Sequence, residues 1–270
     1  MPTFSSRDIP DLHGQVIIVT GGNAGLGYET IRQLDKNNPA MTQLNQENPG
    51  HTEIRFLQLD LASFESVKAA ADFLRQETRL DILINNAGIM MTPEDVTTDG
   101  YETQLGINVL GPALFTQLLL PTLRKMAEVN SQTRMVMLSS AAHAKAPSDL
   151  YNFDEHRTNA ANRRTTQRYT TSKLANLHYA RALAERETKV KIISVHPGMV
   201  ATNLHHSSTG IFPRPFLHAA VHFAATPHGQ YYGPIGKTEN GSKLIRDDDL
   251  QERMFRWIQA ELSPHVGTIM

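Results

Sequence analysis

Residues 15–30 read QVIIVTGGNAGLGYET. QVIIVT is a short β-branched run without polar alternation, the pattern of a strand buried on both faces. The glycines that follow break it, and a helix is predicted from about Tyr28. Glycine permits a tight turn and close approach of backbone to a pyrophosphate. The helix N-terminus adds unpaired N–H groups and the positive end of its dipole. Gly21, Asn23, Gly25, Leu26 and Gly27 are therefore the candidate dinucleotide-binding residues. No Gly-Lys-Ser/Thr follows, which argues against a P-loop.

Working outward, apolar runs alternate with amphipathic ones. IRFLQLD (54–60), DILINNAG (81–88), RMVMLSS (134–140) and VKIISVHPG (190–198) read as strands. Helices are predicted over 63–78 with Ser63 as N-cap, over 101–129, from Tyr169 to about Glu187, and over 248–262. Apolar strands alternating with helices imply an α/β fold: a Rossmann-type doubly wound parallel sheet, expected as a single domain over 1–270. In such a sheet ligands bind beyond the carboxyl ends of the strands.

Composition narrows the function classes. The chain has 270 residues, of which 26 are Lys or Arg and 27 Asp or Glu, so its formal net charge is -1. That argues against a nucleic-acid binder. There is no cysteine, which excludes disulfides, a cysteine nucleophile, Fe–S clusters and Cys-type zinc sites. His218 and His222 stand four apart without a third ligand pattern, and no metal is expected. The start, MPTFSSRDIPDLHG, lacks the apolar core of a signal peptide. The run LGINVLGPALFTQLLLPTL (105–123) is interrupted by Asn108, Gly111, Pro112 and Gln117, so it reads as a buried helix and no transmembrane segment is expected. A cytoplasmic location follows as the expectation.

Two further motifs lie at strand ends or on a helix. Asn85-Asn86-Ala87-Gly88 closes a strand, where paired amides suit either a turn or a ribose. Tyr169 and Lys173 are four apart and share one helix face. An ordinary Tyr is only about 0.1% ionised at pH 7, and lowering its pKa by about three units takes roughly 4 kcal/mol. A neighbouring ammonium supplies such an effect. A Tyr-x-x-x-Lys alone is more often a solvated helix face. The basic run Arg163, Arg164 and Arg168 reads as a solvated approach to that helix.

In order, the chain carries Thr-Gly-x-x-x-Gly-x-Gly, Asn-Asn-Ala-Gly, Ser-Ser after a strand, Tyr-x-x-x-Lys and Pro-Gly. This series resembles the short-chain dehydrogenase/reductase family over nearly the whole chain. The segments GGNAGLGYET, LDLASFESV, INNAGIM, RYTTSKLANL and SVHPGMVAT are most similar to its retinol-dehydrogenase-like and WW-domain-oxidoreductase-like branch. The resemblance implies Tyr169 as acid/base, Lys173 as ligand of the nicotinamide ribose and depressor of the Tyr169 pKa, and Ser140 as hydrogen-bond partner of the reacting oxygen. It implies Asn108 as the end of a proton relay through a water. Asp60 would meet the adenine, Asn85 the adenine ribose, and Val200 and Thr202 the nicotinamide end. Ser139 reads as a backbone-bonding strand-end residue.

The chain departs from the family in two places. Segment 35–53, DKNNPAMTQLNQENPGHTE, contains no Val, Ile, Phe, Tyr or Trp, so the usual second strand is missing from the expectation. IRFLQLD is then expected to lie beside QVIIVT, with a shortened sheet edge beyond. The second shortfall follows Thr226, and a substrate lid is placed at about 204–225. The expected activity is an NADP-dependent oxidoreductase, with NAD left open, acting on a small apolar alcohol or carbonyl. The alternative is a catalytically impaired homologue that acts as a binding protein. Association into a homo-oligomer stays open.

Overall fold

The computed structural model describes residues 12–36, 54–198, 228–233 and 238–266. Val200, Thr202, the lid at 204–225, His218, His222 and residues 37–53 lie outside the described residues. Five strands form one parallel sheet: β1 (Ile17–Val19), β2 (Ile82–Asn85), β3 (Arg134–Leu138), β4 (Lys191–Val195) and β5 (Tyr231–Tyr232), hydrogen-bonded in that order. The register sets Ile18 opposite Leu83, Leu83 opposite Met135 and Met135 opposite Ile192. Side chains of a strand alternate between faces. Leu83, Met135, Met137 and Ile192 join the larger core beneath four helices. Ile82, Ile84, Val136, Leu138, Ile193 and Val195 join a second core with Leu26 and Leu34 of α1 (Gly25–Lys36).

The helices over the larger core are α2 (Phe64–Leu74), α3 (Thr103–Ala127), α4 (Thr165–Arg186) and α5 (Asp248–Val266). Ser63 caps α2 by accepting from the Ser66 N–H at 3.3 Å. In α4, Gln167 reaches back to accept from the Arg164 N–H. α3 is long and apolar enough to cross a membrane, but 83% of its apolar window is buried inside the protein. Its turn Gly106–Leu110 is π-helical, a widening that is frequent at functional sites.

One expected strand is corrected. Residues 54–60 form no ladder, and among the described residues β1 pairs only with β2. Ile54 and Phe56 are 61% and 86% exposed; an apolar run becomes a strand only where a neighbouring backbone takes up its N–H and C=O groups. β5 was not legible as a strand, being two residues long. The helix boundaries shift as well, α1 opening at Gly25 and α4 at Thr165 rather than near Tyr28 and Tyr169.

At the amino ends of the strands, Asp81 is fully buried and bridges three of them. Its carboxylate accepts from the Val16 N–H at 2.8 Å, Arg79 Nε at 2.7 Å and Asn130 Nδ2 at 2.6 Å. Burial pushes the carboxyl up, but these donors together outweigh it and hold it below its ordinary value. Arg79 is half-exposed, but the Val16 N–H and Asn130 Nδ2 would lose their acceptor, so Asp81→Ala is expected to lower the unfolding free energy in urea by about 1–3 kcal/mol. Because the folded value is depressed, the contribution is complete above the ordinary Asp value of about 4 and is lost as pH falls through the lower folded value. An Asp81→Ala chain as stable as the natural one at pH 7 would refute this.

Candidate active site

The carboxyl ends of β1 to β4 bring the motifs together. At the end of β1, Thr20 Oγ1 accepts from the N–H groups of Asn86 and Ala87 at 3.0 and 2.9 Å. Asn86 Nδ2 donates to the Thr20 carbonyl at 2.9 Å. These bonds lock the glycine loop to the turn after β2. Gly27 lies in the first turn of α1, where a Cβ would stand 2.2 Å from the Gly21 carbonyl oxygen and 2.6 Å from Asn86 Nδ2. No side chain fits there. Asn86 Oδ1, at the same loop, is buried without a partner. Asn23 is exposed on the loop, and Leu26 packs into the sheet.

After β3, Ser139 and Ser140 diverge. The Ser139 hydroxyl donates to the Lys173 carbonyl at 2.7 Å and pins α4 to the sheet. Asn176 Nδ2 adds a bond to the Leu138 carbonyl. Ser140 Oγ accepts from the Ala142 N–H at 3.2 Å, which leaves its own proton to donate. Its side chain neighbours the Tyr169 phenol and acts to lower it. One turn further along α4, the Lys173 ammonium lies 5.7 Å from the Tyr169 ring centre. A Cβ at Gly88 would meet Asn108 Oδ1 at 3.0 Å and Lys173 Nζ at 3.2 Å, so Gly88 keeps the floor of this corner open.

Asn108 is buried in the π-helical turn. Its Oδ1 accepts from the Ile89 N–H at 2.8 Å, and its Nδ2 donates to the Ile89 carbonyl at 3.0 Å and Ser172 Oγ at 2.9 Å. Ser172 donates in turn to the Tyr169 carbonyl. Both Asn108 donors are thus engaged within the protein.

Other expected residues sit elsewhere. Asn85 turns its Nδ2 to Thr116 Oγ1 on α3, at 2.8 Å, and is 2% exposed; its amide faces the core instead of a ribose at the strand edge. This follows from alternation, since its neighbour Asn86 takes the loop side. Asp60 is exposed and caps a local turn through the Ala62 N–H. Arg168 is buried, not solvated: it donates to the carbonyls of Asn159 and Thr92. Thr20 and Asn86 belong to the motifs but were not singled out, and Gln104 and Ser172 do positioning work that no motif marks. Gln104 holds the loop after β2 by accepting from the Met91 N–H while donating to the Thr165 carbonyl on α4.

Burial pushes the Tyr169 phenol up, and the neighbouring Ser140 side chain only partly offsets it. This differs from the depressed tyrosine expected beside an ammonium. Burial acts on its neighbour as well, pushing Lys173 down to about 8.

A family model described as short chain dehydrogenase matches residues 15–151. The chain belongs to the short-chain dehydrogenase/reductase family. An uncharacterized oxidoreductase of Schizosaccharomyces pombe is 41% identical over 75% of this chain and 65% of its own length. Human retinol dehydrogenase 12 is 38% identical over 73% of this chain, again with 65% of its length spanned. The chain thus covers just under two thirds of these two relatives. An uncharacterized Mycobacterium paratuberculosis protein of known structure superposes with a TM-score of 0.73 at 28% identity, covering 95% of this chain and 96% of that one. The similarity to retinol dehydrogenases agrees with the retinol-dehydrogenase-like branch.

Lys173 supplies a test of the site's electrostatics. Its folded value of about 8 lies below the 10.5 of a free lysine, so between those values the unfolded chain holds the extra proton and stability rises with pH. Lys173→Met is expected to be more stable than the natural chain at pH 7 by up to ~3 kcal/mol, the difference fading toward pH 10. Thermal unfolding across that range measures it; a destabilised Lys173→Met protein would contradict the buried-charge account.

Proposed function

We propose that this chain interconverts an alcohol and a carbonyl on a small apolar substrate, with NADP as its cofactor and Tyr169 as acid/base. The observation that carries this reading is the convergence of the Ser140 hydroxyl, the Tyr169 phenol and the buried Lys173 ammonium at the carboxyl ends of the strands. The glycine loop fits a dinucleotide, because the space at Gly27 admits no side chain and Asn86 Oδ1 is buried without a partner. The loop from Gly21 to Gly27 would take the pyrophosphate and Lys173 the nicotinamide ribose. When bound, the nicotinamide supplies or accepts the hydride.

The chain's own residues handle the oxygen. In carbonyl reduction, Tyr169 gives its proton to the substrate oxygen as the carbon receives hydride. A phenol raised by burial is fully protonated at neutral pH and ready for that direction. Ser140, its oxygen already serving the Ala142 N–H, directs its proton to the same substrate oxygen. Asn108 keeps the loop after β2 and α4 in register. NADP is preferred on resemblance to the branch. The apolar substrate is supported by the name of the human relative and by Ile89, Met90 and Met91 beside the site, Met91 being 50% exposed. We assign the protein to the cytoplasm on its cysteine-free sequence and on the burial of α3.

A panel of aliphatic and aromatic ketones and aldehydes with NADPH and NADH, followed by loss of nicotinamide absorbance, tests the activity. Tyr169→Phe is expected to lower kcat by ~10²–10⁴-fold, the usual contribution of an acid/base, with NADPH affinity by fluorescence unchanged. Near-normal turnover in that variant would sink the assignment. NADPH binding by the natural chain with no turnover on any carbonyl would favour the binding-protein reading.

A further inference from the structure

Two buried histidines outside the acting groups are fixed by their partners in opposite tautomers. A carbonyl oxygen only accepts and a backbone N–H only donates. His143 Nδ1 lies 2.7 Å from the Ser140 carbonyl oxygen, and its Nε2 accepts from the Ser242 N–H at 3.4 Å. Its proton is therefore on Nδ1. His178 Nε2 lies 2.8 Å from the Leu244 carbonyl oxygen, and its Nδ1 faces the Tyr151 hydroxyl at 2.7 Å. There the proton is on Nε2, and the Tyr151 hydroxyl donates.

Both rings hold the same short segment. Ser242 precedes a 3-10 turn, Lys243–Arg246, and Arg181 of α4 adds a bond to the Ile245 carbonyl at 3.0 Å. His143 belongs to the turn Ala141–Lys145 that Ser140 caps, whereas His178 lies on α4 five residues beyond Lys173. The segment 242–246 thus straps the turn of the serine to the helix of the tyrosine and lysine. The two groups that must address one oxygen come from different elements, and this strap spans them.

We propose that His143 is a positioning residue for Ser140: its Nδ1–H grips the Ser140 carbonyl, its Nε2 is held by the Ser242 N–H, and together they fix where the Ser140 hydroxyl points. The Ser140 carbonyl also accepts from the His143 backbone N–H at 3.1 Å, so one residue closes on it twice. The Tyr231 ring stands edge-on to His143 with centres 5.4 Å apart, which stops the imidazole from swinging away. Burial lowers His143 from its ordinary value; the Ser140 carbonyl opposes that, His196 adds to it, and Glu239 opposes it. The ring stays neutral, as the bond from Ser242 requires.

This role rests on the proposed function of Ser140, so the test separates the two. Long-range proton–nitrogen correlation on histidine labelled with nitrogen-15 reads the tautomer without any activity. His143 is expected with a protonated Nδ1 and a bare Nε2, and His178 with the reverse. A protonated Nε2 at His143 would overturn the proposal. Kinetics then use two variants: His143→Asn keeps a donor near the Nδ1 position, and His143→Gln reaches the Nε2 position but gives up the grip on Ser140. With NADPH and the best carbonyl substrate, His143→Gln is expected to lower kcat about tenfold with little change in cofactor affinity, and His143→Asn to recover most of it. In Ser140→Ala the further change to His143→Gln should cost nothing more, because the two act as one unit. Unchanged kcat in His143→Gln, where Ser140→Ala is inactive, overturns the role of His143 alone. Full activity in Ser140→Ala overturns the functional reading and this role with it, while the nitrogen shifts still report whether the His143 bond exists.

Discussion

A carboxamide shut away from water must find acceptors for two N–H groups and a donor for its oxygen, or lose the free energy of desolvating each. Asn108, 1% exposed, meets all three demands with two residues, Ile89 and Ser172. Those residues belong to the loop after β2 and to α4, and Asn108 itself stands in the widened turn of α3. Three elements meet at one side chain. The loop that carries Gly88 and the helix that carries Tyr169 and Lys173 cannot shift independently while that amide is bonded.

The cost of the arrangement falls on Lys173. Placing an ammonium where it is 5% exposed lowers its affinity for a proton and lowers the stability of the ligand-free fold. The fixed framework makes this tolerable: Ser139 holds the Lys173 carbonyl, Asn176 holds the end of β3, and Asn108 holds Ser172 one residue before the lysine. Gly88 supplies the remaining condition, an open corner beside Nζ. Desolvation raises the phenol and lowers the amine together, so burial works against charge on both groups.

How much of this was legible follows from what each signal reports. β2, β3 and β4 could be read because strands buried on both faces have apolar interiors, as in ILI (82–84) and MVML (135–138). IRFLQLD has the same apolar character, yet hydrophobicity reports burial rather than hydrogen-bond partners, and Ile54 and Phe56 are exposed. The pairing of Tyr169 with Lys173 was legible because it is local, one helical turn. The role of Asn85 was not: which of two adjacent amides faces the loop depends on the register of β2 against β1. Gln104, Ser172 and His143 act through partners 61 to 99 residues away in sequence, so no local pattern marks them. The basic run at 163–168 misled for a related reason. Charge suggests solvent, but Arg168 is buried because the carbonyls of Thr92 and Asn159 receive its guanidinium.

The Asn108 amide fastens the loop after β2 to α4, and the Ile89 backbone N–H reports on it directly because Asn108 Oδ1 is its partner. Native-state hydrogen exchange of that amide, compared between the natural chain and Asn108→Ala, measures the bond without substrate or cofactor. The account predicts a slowly exchanging Ile89 N–H in the natural chain and a loss of protection of about a hundredfold or more in the variant, with the amides of β3 unchanged. An Ile89 amide that exchanges as fast in the natural chain as in Asn108→Ala would contradict it.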